Sequence, residues 1–436
     1  MLWFKAMGIN PLTAWNSSLT RLARRWPPYI GPAATVRAQI ELAIGIALGL
    51  MLTPAVAADL LPTGLSAQGV YDGDWWDNAA GGIRRGAVYA AHLDTSLSID
   101  AERLFGLPTT RFYFRSFSDN GASIGRRVGS AQGVNNWESG YPAAKLLEAW
   151  VDHRFFDKRL SLRFGLYDTT TEFDKNKSQA IFANSAQGMN APLALSGDNG
   201  PSTYPATSLA LRARYTFDDS WTAKLAIVDG VPGARNDPAA SDIHVTSADG
   251  ALIISELRYH RSDGRRFDMG YWRYTNAFPE LNRVDGTGAP QMTHGNQGFY
   301  LSGDTMLTSS ADDLLRGISV GARIAYAEVG FNQFNWSASA SITDLGLWSR
   351  RPDDKIGVGL LFASTGADYL HAQQTSGMVA RPNEWVMEVT WRAPLTDWLS
   401  LQPDVQYILN PAHASAHRSA LVFGLRMEIT ANFGGS

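Results

Sequence analysis

Residues 419–433 alternate without a break. One parity carries Leu421, Phe423, Leu425, Met427, Ile429, Ala431 and Phe433, and the other Val422, Gly424, Arg426, Glu428, Thr430 and Asn432. Successive strand side chains point to opposite faces, so this is a strand with one apolar and one polar side. Globular strands typically run about 5–6 residues, whereas a tilted strand crossing a bilayer takes roughly 9–11. An aromatic-ended strand of this length and regularity points to a transmembrane β-barrel, with Arg426 and Glu428 in its lumen.

The same alternation recurs along the chain. It is found at residues 86–100, 111–117, 145–155, 159–168, 208–217, 221–227, 251–261, 265–275, 297–307, 317–328, 333–344, 355–364, 384–393 and 399–409. With 419–433 that makes fifteen strands. Bacterial single-chain barrels hold an even number, so about sixteen are expected and one is unread. Connections alternate in length. Asp157-Lys158 and residues 218–220, 262–264 and 394–398 are short, while 168–207, 229–250 and 275–296 are long and rich in Asn, Asp, Gly, Pro and Ser. The expected fold is an all-β, antiparallel transmembrane barrel with short periplasmic turns and long extracellular loops.

Composition agrees and excludes several functions. With no cysteine there is no thiolate metal site, catalytic thiol or disulfide framework. Charged residues are 18%, below the roughly 25% of soluble domains. The 41 glycines, 14 Trp, 15 Tyr and 19 Phe suit short turns and interfacial aromatic belts. At the N-terminus, Arg21, Arg24, Arg25 and Arg37 precede an apolar run over 42–52, and Ala55-Val56-Ala57-Ala58 follows. This is the pattern of a basic region, an apolar core too short to span a bilayer, and a small-residue cleavage site. Residues 1–58 are read as an N-terminal extension and secretory signal, and 59–436 as the barrel. Cleavage removes five basic residues and one acid, so the mature chain is more acidic than the formal −3. Nucleic-acid binding wants a basic face and is not expected.

The polar parity gathers charge of both signs. Basic positions read as inward are Arg111, Arg115, Arg154, Arg163, Arg212, Arg214, Lys224, Arg258, Arg323, Arg392 and Arg426. Acidic ones are Glu148, Asp152, Glu256, Asp268, Glu388, Asp404 and Glu428. Rings of one sign would select ions. A mixed lining with Tyr113, Trp150, Tyr167 and Trp272 suits a neutral, many-hydroxyl solute, whose hydroxyls meet charged groups and whose C–H face meets an aromatic ring. The plainer reading is that these charges pair across strands and brace the wall. Glu172 and Asp174 flank Phe173 in a long loop. Paired acids can serve a glycosidase, but acids in a polar loop are more often hydrogen-bonded there. No H-E-x-x-H, G-x-S-x-G or Walker pattern is present. His92, His153 and His260 lie in strands without metal-ligand spacing, so no cofactor or metal is expected.

Several segments together resemble the carbohydrate-selective porins of the OprB family. They are residues 81–86, 145–150, 163–168 leading to 171–174, 181–184, Tyr204-Pro205 followed by 209–212, Val228-Asp229-Gly230, 402–411 and 420–426. The segment 402–411, with Gln402, Pro403, Asp404, Gln406, Tyr407, Asn410 and Pro411, is the most specific. The resemblance implies a 16-stranded outer-membrane barrel that passively admits monosaccharides such as glucose, narrowed by inward-folded loops to a charged and aromatic eyelet. Matching segments put Glu148, Trp150, Arg163 and the loop bearing Asp168, Glu172 and Asp174 nearest that eyelet. The inward positions Arg111, Arg115 and Tyr167 are read as further pore lining. Expected partners are small neutral sugars, outer-membrane lipid and the barrel assembly machinery. The alternatives are a general or anion-preferring porin and an outer-membrane barrel enzyme acting on glycan or lipid. One departure is the tail Gly434-Gly435-Ser436 after Phe433, where such proteins usually finish on the aromatic; it bears on recognition by the assembly machinery.

Overall fold

The computed structural model describes residues 61–138, 142–233, 243, 246–308, 316–412 and 418–434. The expected leader, residues 1–58, lies outside them, as do Gly435 and Ser436. Sixteen antiparallel strands close a barrel. The first eight are β1 (Leu65–Ala80), β2 (Gly86–Asp100), β3 (Thr110–Gly121), β4 (Ala143–Phe155), β5 (Leu160–Tyr167), β6 (Ser208–Thr216), β7 (Trp221–Asp229) and β8 (Ala251–His260). The others are β9 (Arg266–Tyr274), β12 (Gln297–Met306), β13 (Gly317–Ala327), β14 (Phe334–Leu345), β15 (Lys355–Thr365), β16 (Asn383–Thr396), β17 (Leu399–Leu409) and β18 (Ala420–Phe433). Within the connection 275–296, β10 (Phe278–Val284) and β11 (Pro290–Thr293) pair as a separate sheet that the sequence pattern did not announce.

The unread strand is β1. It pairs with β18 from Ala67↔Phe433 to Asn78↔Val422 and with β2 along its other edge. Gly69, Asp72, Gly73 and Asp74 give it the composition of a turn. Two further expectations are corrected. Pro394 belongs to β16, so that turn is Asp397-Trp398. Strict alternation over 145–155 sets Leu147 on the outer face with Ala149 and Val151, and it is not there. Arg115 lies opposite Glu148 and Ser116 opposite Leu146, so Leu147 is the extra residue of a β-bulge and is 1% exposed.

The rim that carries both barrel termini carries the shorter turns; the opposite rim carries the long connections. Two of these fold inward. The connection 168–207 crosses the inner wall strand by strand. Asp174 N–H donates to Glu256 on β8 (2.9 Å) and to the Tyr300 hydroxyl on β12 (3.1 Å). Its carboxylate pairs with Arg323 on β13 (3.0 Å). Asn176 donates to Ser302 (3.1 Å), Ser178 meets Ser341 on β14 (2.8 Å), and Gln179 donates to Ser339 (2.7 Å). Glu388 on β16 accepts from Ala183 N–H (2.6 Å), while β17 supplies Gln402 to the Ile181 carbonyl (2.7 Å) and Gln406 to Asn184 (3.1 Å). The connection 122–142 is held in the same way. Buried Glu384 accepts from Ser130 (2.7 Å), Ala131 N–H (3.0 Å) and Gln132 N–H (3.0 Å). Arg426 grips Asp74 (2.9 Å) and Asn135 (2.8 Å) together.

The wall is shaped for this belt. A side chain at Gly321 would overlap Ser178 and Asn176, and one at Gly359 would overlap Gln187. Inward-facing Val228, Leu252, Ile254 and Trp272 break the polar-inside rule, and Phe173, Met189 and Leu193 of the connection bury against them. Trp272 is 0% exposed, so it belongs to this inner core and does not line the channel as its parity suggested.

Two substitutions should move the belt in opposite senses. Gly321→Val forces it off the wall into the lumen at about 1–3 kcal/mol of strain, so single-channel conductance should fall. Arg323→Ala leaves buried Asp174 unpaired, which costs about 3–5 kcal/mol; conductance should rise and flicker, with the barrel still migrating as a heat-modifiable band.

Candidate functional site

Residues 172–184 cover the wall from β6 to β17, so the uncovered wall is on the β2–β6 side. The charged groups of that wall form one connected set. Arg115 on β3 bonds Asp94 on β2 (Nε–Oδ2 2.7 Å) and faces Glu148 on β4 (3.7 Å) and Asp168 (4.0 Å). Glu148 accepts from Trp150 Nε1 (3.1 Å). Asp168 caps the short turn Thr169–Thr171 through Thr170 N–H (2.9 Å), which starts the inward connection.

Trp150 is clamped. Tyr113, its register partner on β3, stacks at 4.9 Å, and the Arg163 guanidinium from β5 lies 3.6 Å from the ring centre. Because β3 and β5 flank β4, the two cover opposite faces, and Trp150 is 8% exposed. It therefore cannot offer a bare face to a sugar, as its residue type had suggested. It orients Arg163, which also meets Asp152 (3.3 Å) and Glu172 (3.8 Å). Tyr167 is likewise buried, its hydroxyl donating to Glu172 (2.8 Å).

Glu172 is the hub of the next group. Arg212 reaches it at 2.6 Å and Asp152 at 2.8 Å, Arg214 lies at 3.9 Å from Glu172, and Lys224 donates to its backbone carbonyl. Burial alone would raise the Glu172 carboxyl, but Arg212, Arg163, the Tyr167 hydroxyl and Lys224 together hold it below the usual carboxylate range. Asp174 goes the other way. Burial pushes it up despite Arg323 and Asn190.

Arg115, Glu148, Trp150, Arg163, Tyr167, Asp168 and Glu172 are thus brought together. Asp174 is 0% exposed and fastens the belt to the wall, so it is an anchor and not a lining group. Arg111 is exposed at the start of β3, four residues and about 13 Å of strand from Arg115. Glu172 and Asp174 do not form a catalytic acid pair, because each carboxylate is committed to different arginines.

Three members escaped the sequence reading. Asp94 shares the inward parity of β2 with His92. Arg266 donates to the Lys175 carbonyl (2.7 Å) from the start of β9. Lys175 sits on the connection itself, where no parity applies. Burial lowers its ammonium, Asp168 opposes that, and Arg266, Arg115 and Arg258 add to it.

A family model described as the carbohydrate-selective porin, OprB family, matches residues 84–430. Porin B of Pseudomonas aeruginosa is 23% identical over 412 residues, covering 85% of this chain and 88% of that protein. The putative porin QuiX of Acinetobacter baylyi is 21% identical over 310 residues, covering 65% and 69%. Among solved structures, the high-pH structure of Pseudomonas putida OprB shares the fold with a TM-score of 0.75 at 18% identity, over 84% of this chain and 94% of that one. Matched from residue 84 to residue 430 and folded as a closed 16-stranded barrel, the chain belongs to the OprB family of carbohydrate-selective porins, passive channels of the bacterial outer membrane.

Proposed function

We propose that the Arg115 group is the eyelet of this porin and passes small neutral sugars such as glucose down their gradient. The observation that carries this is the alternation of sign within one small patch. Arg115 stands among Asp94, Glu148 and Asp168, and Arg163 between Asp152 and Glu172. A sugar hydroxyl both donates and accepts, so neighbouring carboxylates and guanidinium groups take over part of its hydration shell. Each group already has a protein partner, so a sugar competes with an existing bond and leaves readily. Tyr113, half-buried beside Trp150 on β3, is an aromatic ring left for the C–H face.

A second reading, anion preference, rests on the basic row Arg154, Arg214, Arg258 and Arg266 towards the short-turn rim. Arg154 is 42% and Arg214 34% exposed, each with its nearest carboxylate 3.8–3.9 Å away. A focused positive potential there would draw anions.

Glucose titration of single channels in planar bilayers, with the reversal potential across a salt gradient, separates the two readings. Sugar block with weak ion preference supports the eyelet for neutral sugars; strong anion preference without block overturns it. Arg115→Ala removes a charged hydrogen bond worth about 1.5–3 kcal/mol, so glucose block should weaken about tenfold or more. Trp150→Ala should weaken block by releasing Arg163, and Trp150→Phe, which keeps a ring beneath the guanidinium, should restore most of it.

A further inference from the structure

We propose that a second carbohydrate site, a capture site for a neutral hexose, lies at the extracellular mouth beside Trp137, separate from the eyelet; it rests on the sugar-porin reading above. A cleft of about 560 Å3 opens between the far ends of β2 and β3 and residues 122–138 with Pro142. That volume falls within the roughly 300–1,000 Å3 of small-molecule sites. Its polar lining includes Arg84, Asp119, Asn120, Arg126 and Glu138, and its aromatic wall is Trp137. Donors and acceptors of both signs surround one indole, the combination that suits a ring with an apolar C–H face and a hydroxyl edge.

The indole is held for this. His92 stacks on one face at 4.4 Å and 9°, and Tyr204 stands edge-on at 5.7 Å and 86°. His92 bonds Asp119 through Nδ1 (2.6 Å), and the Tyr204 hydroxyl donates to the same carboxylate. Trp137 stays partly exposed although one face is covered. Its exposure therefore lies on the remaining face and edge. Arg127 is turned to the Arg85 carbonyl (3.1 Å), and Arg126 lies near the Glu138 carboxyl. Burial pushes the Glu138 carboxyl up to about 7 against the Gly125 and Ile124 N–H groups, so near neutral pH it serves as donor and acceptor.

The position makes it a capture site. Asp119 is four residues beyond Arg115 on β3 and on the same face, about 13 Å towards the long-loop rim. Asp94 links the two places, lying 3.7 Å from His92 Nε2 and 2.7 Å from Arg115. A sugar held at Trp137 is one step from the Arg115 group, which raises its concentration at the entrance from the extracellular side alone.

The test is side-specific. Glucose is added to one face of a bilayer holding oriented channels, and block association rates are read from current noise for wild type, Trp137→Ala, Trp137→Phe and Arg126→Gln. Trp137→Ala and Arg126→Gln should each slow association from the extracellular side about three- to tenfold, the range of an aromatic contact, and leave the periplasmic-side rate unchanged. Trp137→Phe should recover most of the loss. Unchanged extracellular rates, or equal slowing from both sides, would overturn the capture site while the eyelet reading stands. Absence of glucose block in wild type would overturn both. Heat-modifiable mobility and unaltered sugar-free conductance confirm that each variant is folded.

Discussion

Hydrocarbon offers no hydrogen-bond partner, so every N–H and C=O of a membrane-spanning segment needs one from the protein. That requirement is met only when β1 meets β18. The seam joins the first and last described strands, places both barrel termini on one rim, and leaves the opposite rim to the long connections. The alternation of apolar and polar residues then follows, because one face of every strand meets lipid and the other the lumen.

A closed barrel of this size is hollow, and the inward connections fill it by satisfying their own backbone. Glu384 and Glu388 are buried carboxylates that accept backbone N–H groups from the two connections, and Arg323 and Asn190 hold Asp174. Such groups are costly to bury unless paired. The wall charges therefore divide into two kinds. Most, such as Arg212 at 0% exposure, brace the wall or hold the belt, as the plainer reading of the sequence held. A minority on the β2–β6 side stay open to the lumen.

How much of this was legible follows from periodicity. Strands with bulky outward residues, such as β7 and β18, read directly. β1 did not, because Gly69 and Gly73 face outward where a signal of period two needs bulk. Parity sorted lumen from lipid until the bulge at Leu147 shifted it. It could not rank the lumen residues, since Arg115 and Arg212 share the same pattern and differ only in what the belt covers. Glu148, Arg163 and Asp168 came from a local resemblance. Lys175 had neither signal, because an irregular connection has no period. Trp150 reads from sequence as an open ring, and the cover over its faces from Tyr113 and Arg163 has no sequence signal, because neighbouring strands make it.

The belt doubles the wall from β6 to β17, the connection after β3 continues it over β18 and β1, and the β2–β6 side stays single, so the channel runs off the barrel axis. On the thin side Phe114 faces lipid at 41% exposure while its neighbour Arg115 faces the lumen. One layer of backbone separates the lumen from hydrocarbon there. A low-dielectric medium that close costs a net charge in the water beside it far more than a neutral molecule. On this side, then, the lumen lies within one layer of backbone of the hydrocarbon, whichever side chains line it.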